Sequence, residues 1–144
     1  MSGGKRRPPE PVLFIDRDAW SRALGESLSA AGITHVAHHQ RFAPAALDEA
    51  WLAVAGAEGW LVLTRDQHIR RRPNELAAVK AARVRLFVLG QGNLSAAETA
   101  QIVVAAHPQM LRAARGARRP AVFTLTQSWP RKSAQSDKWK LCFL

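Results

Sequence analysis

Along the chain, short runs in which nearly every residue is apolar alternate with longer stretches in which apolar residues recur every three or four positions. The apolar runs predict strands at Val12–Asp16, Ile33–His38, Trp60–Thr64, Val84–Leu89 and Ala121–Thr126, since a strand buried on both faces reads as a continuous run and not as an alternation. Between them, Trp20, Ala23, Leu24, Leu28 and Ala31 fall at helical spacing, as do Leu47, Ala50, Trp51 and Val54. Each such helix has one stripe to lay on a sheet. The alternation predicts βα units: an α/β fold with a mainly parallel central sheet of about four to five strands flanked by helices. Ser95 followed by Glu98 is a capping box that starts a helix, expected to run to about Arg115, to be interrupted or kinked near Pro108 and to stop at Gly116.

These elements predict one domain over residues 11–126, preceded by a basic flexible segment (1–10) and followed by a basic tail (127–144) carrying Trp129 and Trp139. A chain of 144 residues, 47% hydrophobic, is long enough for one core and short for two. No apolar run approaches the roughly 20 residues of a membrane helix. Lys5-Arg6-Arg7 leads into Pro8-Pro9 with no apolar segment behind it, so a cytoplasmic location is expected. The single Cys142 excludes a disulfide framework and a cysteine zinc site.

The formal charge of +10 points towards a polyanion, nucleic acid being the commonest. Lys5, Arg6 and Arg7 against Glu10 give residues 1–10 a charge of +2, and six bases against Asp137 give residues 118–144 a charge of +5, which leaves +3 between them. Charge of this kind also serves plain solubility, so the chemistry has to come from the acids.

In an open parallel sheet, ligands bind beyond the carboxyl ends of the strands. Asp16 closes the first apolar run, and Asp66 follows Thr64 by one residue. Asp18 points to the same side as Asp16 if the chain stays extended and swings away if it turns. Pro44 suits a first helical turn with Asp48 one turn later, and Asp48 shares helical spacing with Trp51, Leu52 and Ala55, beside the buried stripe. Glu49, offset by roughly 100°, faces water. Carboxylates gathered at one point repel one another and call for a cation; hard divalent ions such as Mg²⁺ take oxygen ligands and activate water at a phosphodiester. The candidate catalytic and metal-binding residues are therefore Asp16, Asp48 and Asp66, with Asp18 as a further metal ligand. Taken singly each acid has a local explanation: a strand-ending turn for Asp16 and Asp18, helix-dipole compensation for Asp48, an Asx turn over residues 67–70 for Asp66. His68, Arg70, Arg71 and Arg72 form a basic loop expected to hold the substrate backbone, because arginine forks match phosphate oxygens. His35, His38 and His39 form no shared metal site if the strand continues, since neighbours there face opposite ways.

Phe14-Ile15-Asp16-Arg17-Asp18, Asp48-Glu49-Ala50-Trp51-Leu52 and Gly59-Trp60-Leu61-Val62-Leu63-Thr64-Arg65-Asp66 with Ile69-Arg70 together resemble the compact PIN-like domains, which include ribonuclease toxins similar to the VapC group of toxin–antitoxin systems. The resemblance covers roughly residues 11–90, and Leu-Thr-Arg-Asp with the following Arg-Arg-Pro-Asn-Glu is its most specific part. It implies metal-binding roles for Asp16, Asp48 and Asp66, Mg²⁺ or Mn²⁺ as cofactor, hydrolysis of RNA phosphodiesters, and inhibition by an antitoxin protein. Larger PIN domains carry a further helix acid ahead of the position of Asp48, which has no clear counterpart here: either Asp18 substitutes for it or the site holds fewer metal ligands. The sequence leaves a homodimer open.

Two other readings compete. Val12–Asp18 also reads as the strand and Asp-x-Asp of a haloacid-dehalogenase-type phosphatase, with Asp16 as nucleophile and Asp18 as acid/base, although Ala19-Trp20 is an unusual continuation and no later Asp-Asp pair exists. A catalytically inactive RNA- or protein-binding module of the same fold is the non-enzymatic alternative.

Overall fold

Leu13, Phe14 and Ile15 are all fully buried and form strand β1 (Leu13–Ile15), which lies inside the sheet. In the computed structural model, residues 10–90, 94–125 and 140–142 are described. The chain continues through α1 (Arg22–Ala30), β2 (His35–Ala37), α2 (His38–Arg41), α3 (Asp48–Glu58), β3 (Leu61–Thr64), a 3₁₀ turn (Ile69–Arg71), α4 (Pro73–Ala82), β4 (Arg85–Leu89), α5 (Ala96–Gly116), β5 (Ala121–Leu125) and β6 (Lys140–Cys142). Strand order is β2-β1-β3-β4-β5-β6, parallel from β2 through β5, with β6 antiparallel on the edge. The α/β class and parallel sheet match the sequence expectation. β6 lies within the stretch expected to be a tail; the rest of the N-terminal segment and tail, Trp129 and Trp139 included, lies outside the described residues apart from Glu10.

Period-two alternation sorts the strand residues into two cores. Leu13, Ile15, Leu61, Leu63, Phe87 and Phe123 pack with Leu24 and Leu28 of α1 and with Val103, Ala106 and Met110 of α5. Phe14, Val62, Leu86, Val88 and Val122 face the other way, onto Trp51, Leu52 and Ala55 of α3 and Val79 of α4. Both faces are covered, which is why the strands carry no polar alternation.

Local signals explain most helix ends. Ser21 caps α1 by accepting from the Leu24 backbone N–H at 3.0 Å. Ser95 and Glu98 form the expected capping box on α5. Pro108 lies within α5 without ending it, so the expected interruption does not occur, and the helix runs on through Gly116. Pro44 does not start a helix; it sits in a turn, and α3 begins at Asp48. Leu47, expected on the apolar stripe, precedes α3 and is 68% exposed.

Arg85 is a buried cation at the opposite end of the sheet from the strand carboxyl ends. Its Nη2 donates to the Gly59 carbonyl at 3.0 Å and its Nη1 to the Ala114 carbonyl at 3.4 Å, tying α5 to the turn before β3. Burial, then the nearby Arg119, lower its pKa. Arg85→Met keeps most of the apolar volume but strands both carbonyls, and is expected to cost roughly 2 kcal/mol of stability in urea unfolding. An unchanged midpoint would remove Arg85 from the list of supports for this corner.

Candidate active site

The chain leaves β1 for one side of the sheet and returns through β3 on the other, so the strand order reverses between β1 and β3. Side chains just beyond the carboxyl ends of these two strands meet at the point where open α/β sheets hold ligands. Asp16 follows β1, its backbone N–H still paired with the Leu63 carbonyl at 2.9 Å. The chain then turns, with the N–H groups of Ala19 and Trp20 both donating to the Asp16 carbonyl. The turn brings Asp18 back towards β3 instead of swinging it away.

Thr64, the last residue of β3, ties these groups together. Its hydroxyl lies 2.9 Å from Asp16 Oδ2 and 3.3 Å from Asp18 Oδ1, and it accepts from the Asp66 backbone N–H at 3.1 Å. Asp18 Oδ1 also accepts from the Arg65 backbone N–H at 3.1 Å. In the sequence Thr64 shows only as a lone hydroxyl ending an otherwise apolar run, a weak signal for this role.

Asp48 opens α3 and so sits where the helix dipole favours a carboxylate. Its Oδ1 accepts from Trp51 Nε1 at 3.0 Å and pairs with Arg17 Nη2 at 3.1 Å. The same guanidinium has Nε 3.9 Å from Asp16 Oδ1 and donates through Nη1 to the Pro44 carbonyl, so Arg17 spans the gap between Asp16 and Asp48. Asp66 looks elsewhere: its Oδ1 closes an Asx turn on the His68 N–H at 3.1 Å, and its Oδ2 pairs with Arg72 at 2.5 Å. Arg72 also pairs with Glu75 at 2.9 Å. The structure thus joins Asp16 and Asp18 through Thr64, links Asp48 to Asp16, among the described residues, only through Arg17, and sets Asp66 on the rim. Glu49 is exposed, as expected from its helical offset.

Asp16 carries the electrostatic signature of the site. Burial above all, then Asp18 and more weakly Asp48, push its carboxyl up to about 6, against the hydrogen bonds from Thr64 and the Arg17 N–H. Nearby, the buried His38 is held below the usual imidazole range, first by burial and then by Arg17. Its ring lies among Phe14, Phe42 and Trp51, and neither ring nitrogen has a partner among the described residues. β2 ends at Ala37, so His38 and His39 stand on α2; His39 packs on Trp20, and His35 Nδ1 bonds the Ile33 carbonyl. The histidines do not converge. In the basic loop, His68, Arg71 and Arg72 are exposed, while the side chain of Arg70 lies outside what is described.

The donor chemistry fits a hard divalent cation: carboxylate and hydroxyl oxygens, with one carboxylate whose charge is disfavoured where it stands. The arrangement is pairwise, with Arg17 between Asp16 and Asp48; among the described residues no three carboxylates, imidazoles or thiolates form a ready ligand set. A match to the family model described as a PIN-like domain spans residues 11–91, from just before β1 to just past β4. The chain belongs to the PIN-like domain family. The match covers the β1, β3 and α3 termini that build the site, and PIN-like domains are typically nucleases that use divalent metals. No curated relative and no solved structure matches the chain. Among the described residues, no helix of this PIN-like domain is long and apolar enough to cross a membrane.

Proposed function

We propose that this PIN-like domain is a metal-dependent endoribonuclease that hydrolyses RNA phosphodiester bonds. The observation that carries the reading is the pair Asp16 and Asp18 held on the Thr64 hydroxyl at the strand-order reversal, with Asp48 linked to Asp16 through Arg17 and Asp16 desolvated and pushed up to about 6. Asp16, Asp18 and Asp48 would hold Mg²⁺ or Mn²⁺, with Asp66 contributing from the rim. When bound, the ion supplies Lewis-acid activation of a water and of the phosphodiester. Thr64 orients Asp16 and Asp18 through its hydroxyl, and Arg17 neutralises Asp16 and Asp48 in the metal-free protein. The exposed Arg71, Arg72 and His68 would contact the RNA backbone, and Arg70 is assigned to the same role from its place in the sequence of this loop. The resemblance of residues 11–90 to the compact PIN-like domains, which include ribonuclease toxins similar to the VapC group, supports the finer reading: the toxin of a toxin–antitoxin pair, acting in the cytoplasm and held by a cognate antitoxin protein.

The test is incubation of purified protein with a structured RNA in Mg²⁺ or EDTA, beside Asp66→Asn. Cleavage is expected in Mg²⁺ alone. Full activity in Asp66→Asn would restrict the metal site to Asp16, Asp18 and Asp48; loss would make Asp66 a working ligand. One observation favours a second reading, an inactive RNA- or protein-binding module: Asp48 and Asp66 each already have an arginine partner. The two separate on metal addition, since an ion that binds only the folded state raises the melting temperature by mass action. No shift in millimolar Mg²⁺ and no cleavage would favour the inactive module.

A further inference from the structure

Beside Asp18 lies a cavity of about 220 Å³ lined by Asp18, Trp20, Ser21, Arg65, Ala96 and Thr99. Its cation is Arg65. Of the arginines around the site, Arg17 is matched by Asp48 and Arg72 by Asp66 and Glu75, but no carboxylate among the described residues lies within ion-pair distance of the Arg65 guanidinium. Among the described residues, its Nη2 alone has partners, donating to Thr99 Oγ1 at 2.5 Å and to the Leu94 carbonyl at 3.3 Å. Nε is buried without a partner among the described residues. A partly buried guanidinium with no counter-charge is costly, and an anion brought by a ligand would offset that cost.

Four further features bear on the ligand. Thr99 is 1% exposed and fixes the guanidinium against α5, so the fork is held before any ligand arrives. Ala96 opens α5, a helix of 21 residues whose positive dipole end lies here, with the Glu98 N–H already taken by Ser95 in the capping box. The cavity also begins at Asp18, whose Oδ1 is bonded to the Arg65 backbone N–H, so it adjoins the acids directly. An RNA chain repeats one charge per nucleotide, so a phosphate at the acids has a neighbour within reach of such a cavity. The half-buried Trp20 on the wall offers an indole for the attached base or sugar.

We infer that the cavity between Asp18 and the start of α5 is a phosphate subsite, in which Arg65 holds the RNA phosphate next to the one at the acids and Thr99 positions Arg65. This rests on the RNA-cleaving reading of the neighbouring acids, yet it can be tested apart from cleavage. The probe is a set of short single-stranded RNAs, each with one phosphate replaced by a neutral methylphosphonate, bound in EDTA to wild type, Arg65→Gln and Arg65→Lys. A charge-assisted contact predicts one position at which neutralisation weakens wild-type binding about tenfold, has no effect in Arg65→Gln, and regains part of its effect in Arg65→Lys. Arg65→Gln should also lower the salt slope of binding by about one. Identical position profiles in wild type and a folded Arg65→Gln, checked by its melting curve, would overturn the subsite. Should Arg65→Gln fail to fold, Thr99→Val decides: it leaves the charge but unpins the fork, and an undiminished position-specific penalty would overturn the positioning role. Cleavage of the unmodified RNA in Mg²⁺ separates the two ideas. Coupling at Arg65 without cleavage sinks the nuclease reading and keeps the subsite; cleavage without coupling does the reverse.

Discussion

Replacing Asp16 with Asn is expected to abolish metal-dependent RNA cleavage, by roughly a thousandfold or more, while making the metal-free protein more stable at neutral pH. The two effects share one cause. Asp16 is 8% exposed, and burial with the Asp18 and Asp48 charges raises its folded-state pKa to about 6 from 3.8. The folded protein therefore binds this proton more tightly than the unfolded chain. Between the two values the folded state carries more protons, so this group's contribution to stability falls as pH rises through that window. A window of about two pH units corresponds to about 3 kcal/mol in full, of which about 2 kcal/mol is lost between pH 4 and pH 7. Asn keeps the shape and an oxygen for Thr64 and the Arg17 N–H but carries no charge, so stability near pH 7 should rise by about 1–3 kcal/mol and the acid-side slope should flatten. Urea unfolding of both proteins at pH 4 and pH 7 measures this. A variant that lost stability at pH 7 would mean that Asp16 is stabilised in place as an anion, and the strained-carboxylate account of the site would fall.

Most of what builds this site was legible in the sequence because it depends on local pattern. Apolar runs gave the strands β1, β3 and β4 to within a residue or two, and helical spacing set Asp48 beside Trp51, Leu52 and Ala55, all three of which are buried. What pattern could not supply was direction after an element ends. Asp18 returns to Thr64 because the Asp16 carbonyl takes two backbone N–H groups in a tight turn, a choice made by hydrogen bonds and not by hydrophobicity. Asp66 follows β3 as expected, yet its Asx turn and Arg72 aim it at the rim. The loop from Phe42 to Leu47 misled for a related reason. Pro44 fits a first helical turn by its ring geometry, but here its carbonyl serves Arg17, and α3 starts four residues later. The strand at Lys140–Cys142 carries no clear signal of its own and depends on β5 as a template.

Arg17 and Arg72 give the acids a second property that charge counting hides. A chain of net charge +10 is read first as a surface for polyanions, but two of the arginines nearest the site are turned inward onto Asp48 and Asp66. An ion arriving among the carboxylates would compete with Arg17 for Asp16 and Asp48. Each guanidinium so released becomes available to phosphate oxygens, so binding of metal and of RNA would favour each other by linkage. The unmatched Arg65 needs no such release.

Gly56→Ala is expected to be the most damaging small substitution in the domain, because it strikes the contact that sets the position of Asp48. Gly56 lies in α3 where that helix crosses the end of α4, and a Cβ built there would stand 2.0 Å from the Ala82 carbonyl oxygen and 2.9 Å from its carbonyl carbon. The obstacle is backbone, so no rotamer relieves it; α3 and α4 must separate. Ala is the better helix former by about 1 kcal/mol, so propensity alone predicts stabilisation and the sign of the result is diagnostic. Overpacking against a helix backbone predicts a loss of roughly 3 kcal/mol, a large part of the 5–15 kcal/mol typical of a domain. Ala82→Gly in the same chain removes only a Cβ 3.0 Å away and should not rescue the variant, since the carbonyl stays. Because Asp48 is the first residue of α3, any variant that still folds with α3 displaced should lose the Asp48 contacts with Arg17 and weaken its response to Mg²⁺ beyond the loss of stability. Urea unfolding with and without Mg²⁺ reads both quantities. A Gly56→Ala protein as stable as the parent would show that the two helices have room to part, and the tight crossing could no longer be what fixes Asp48 over the end of the sheet.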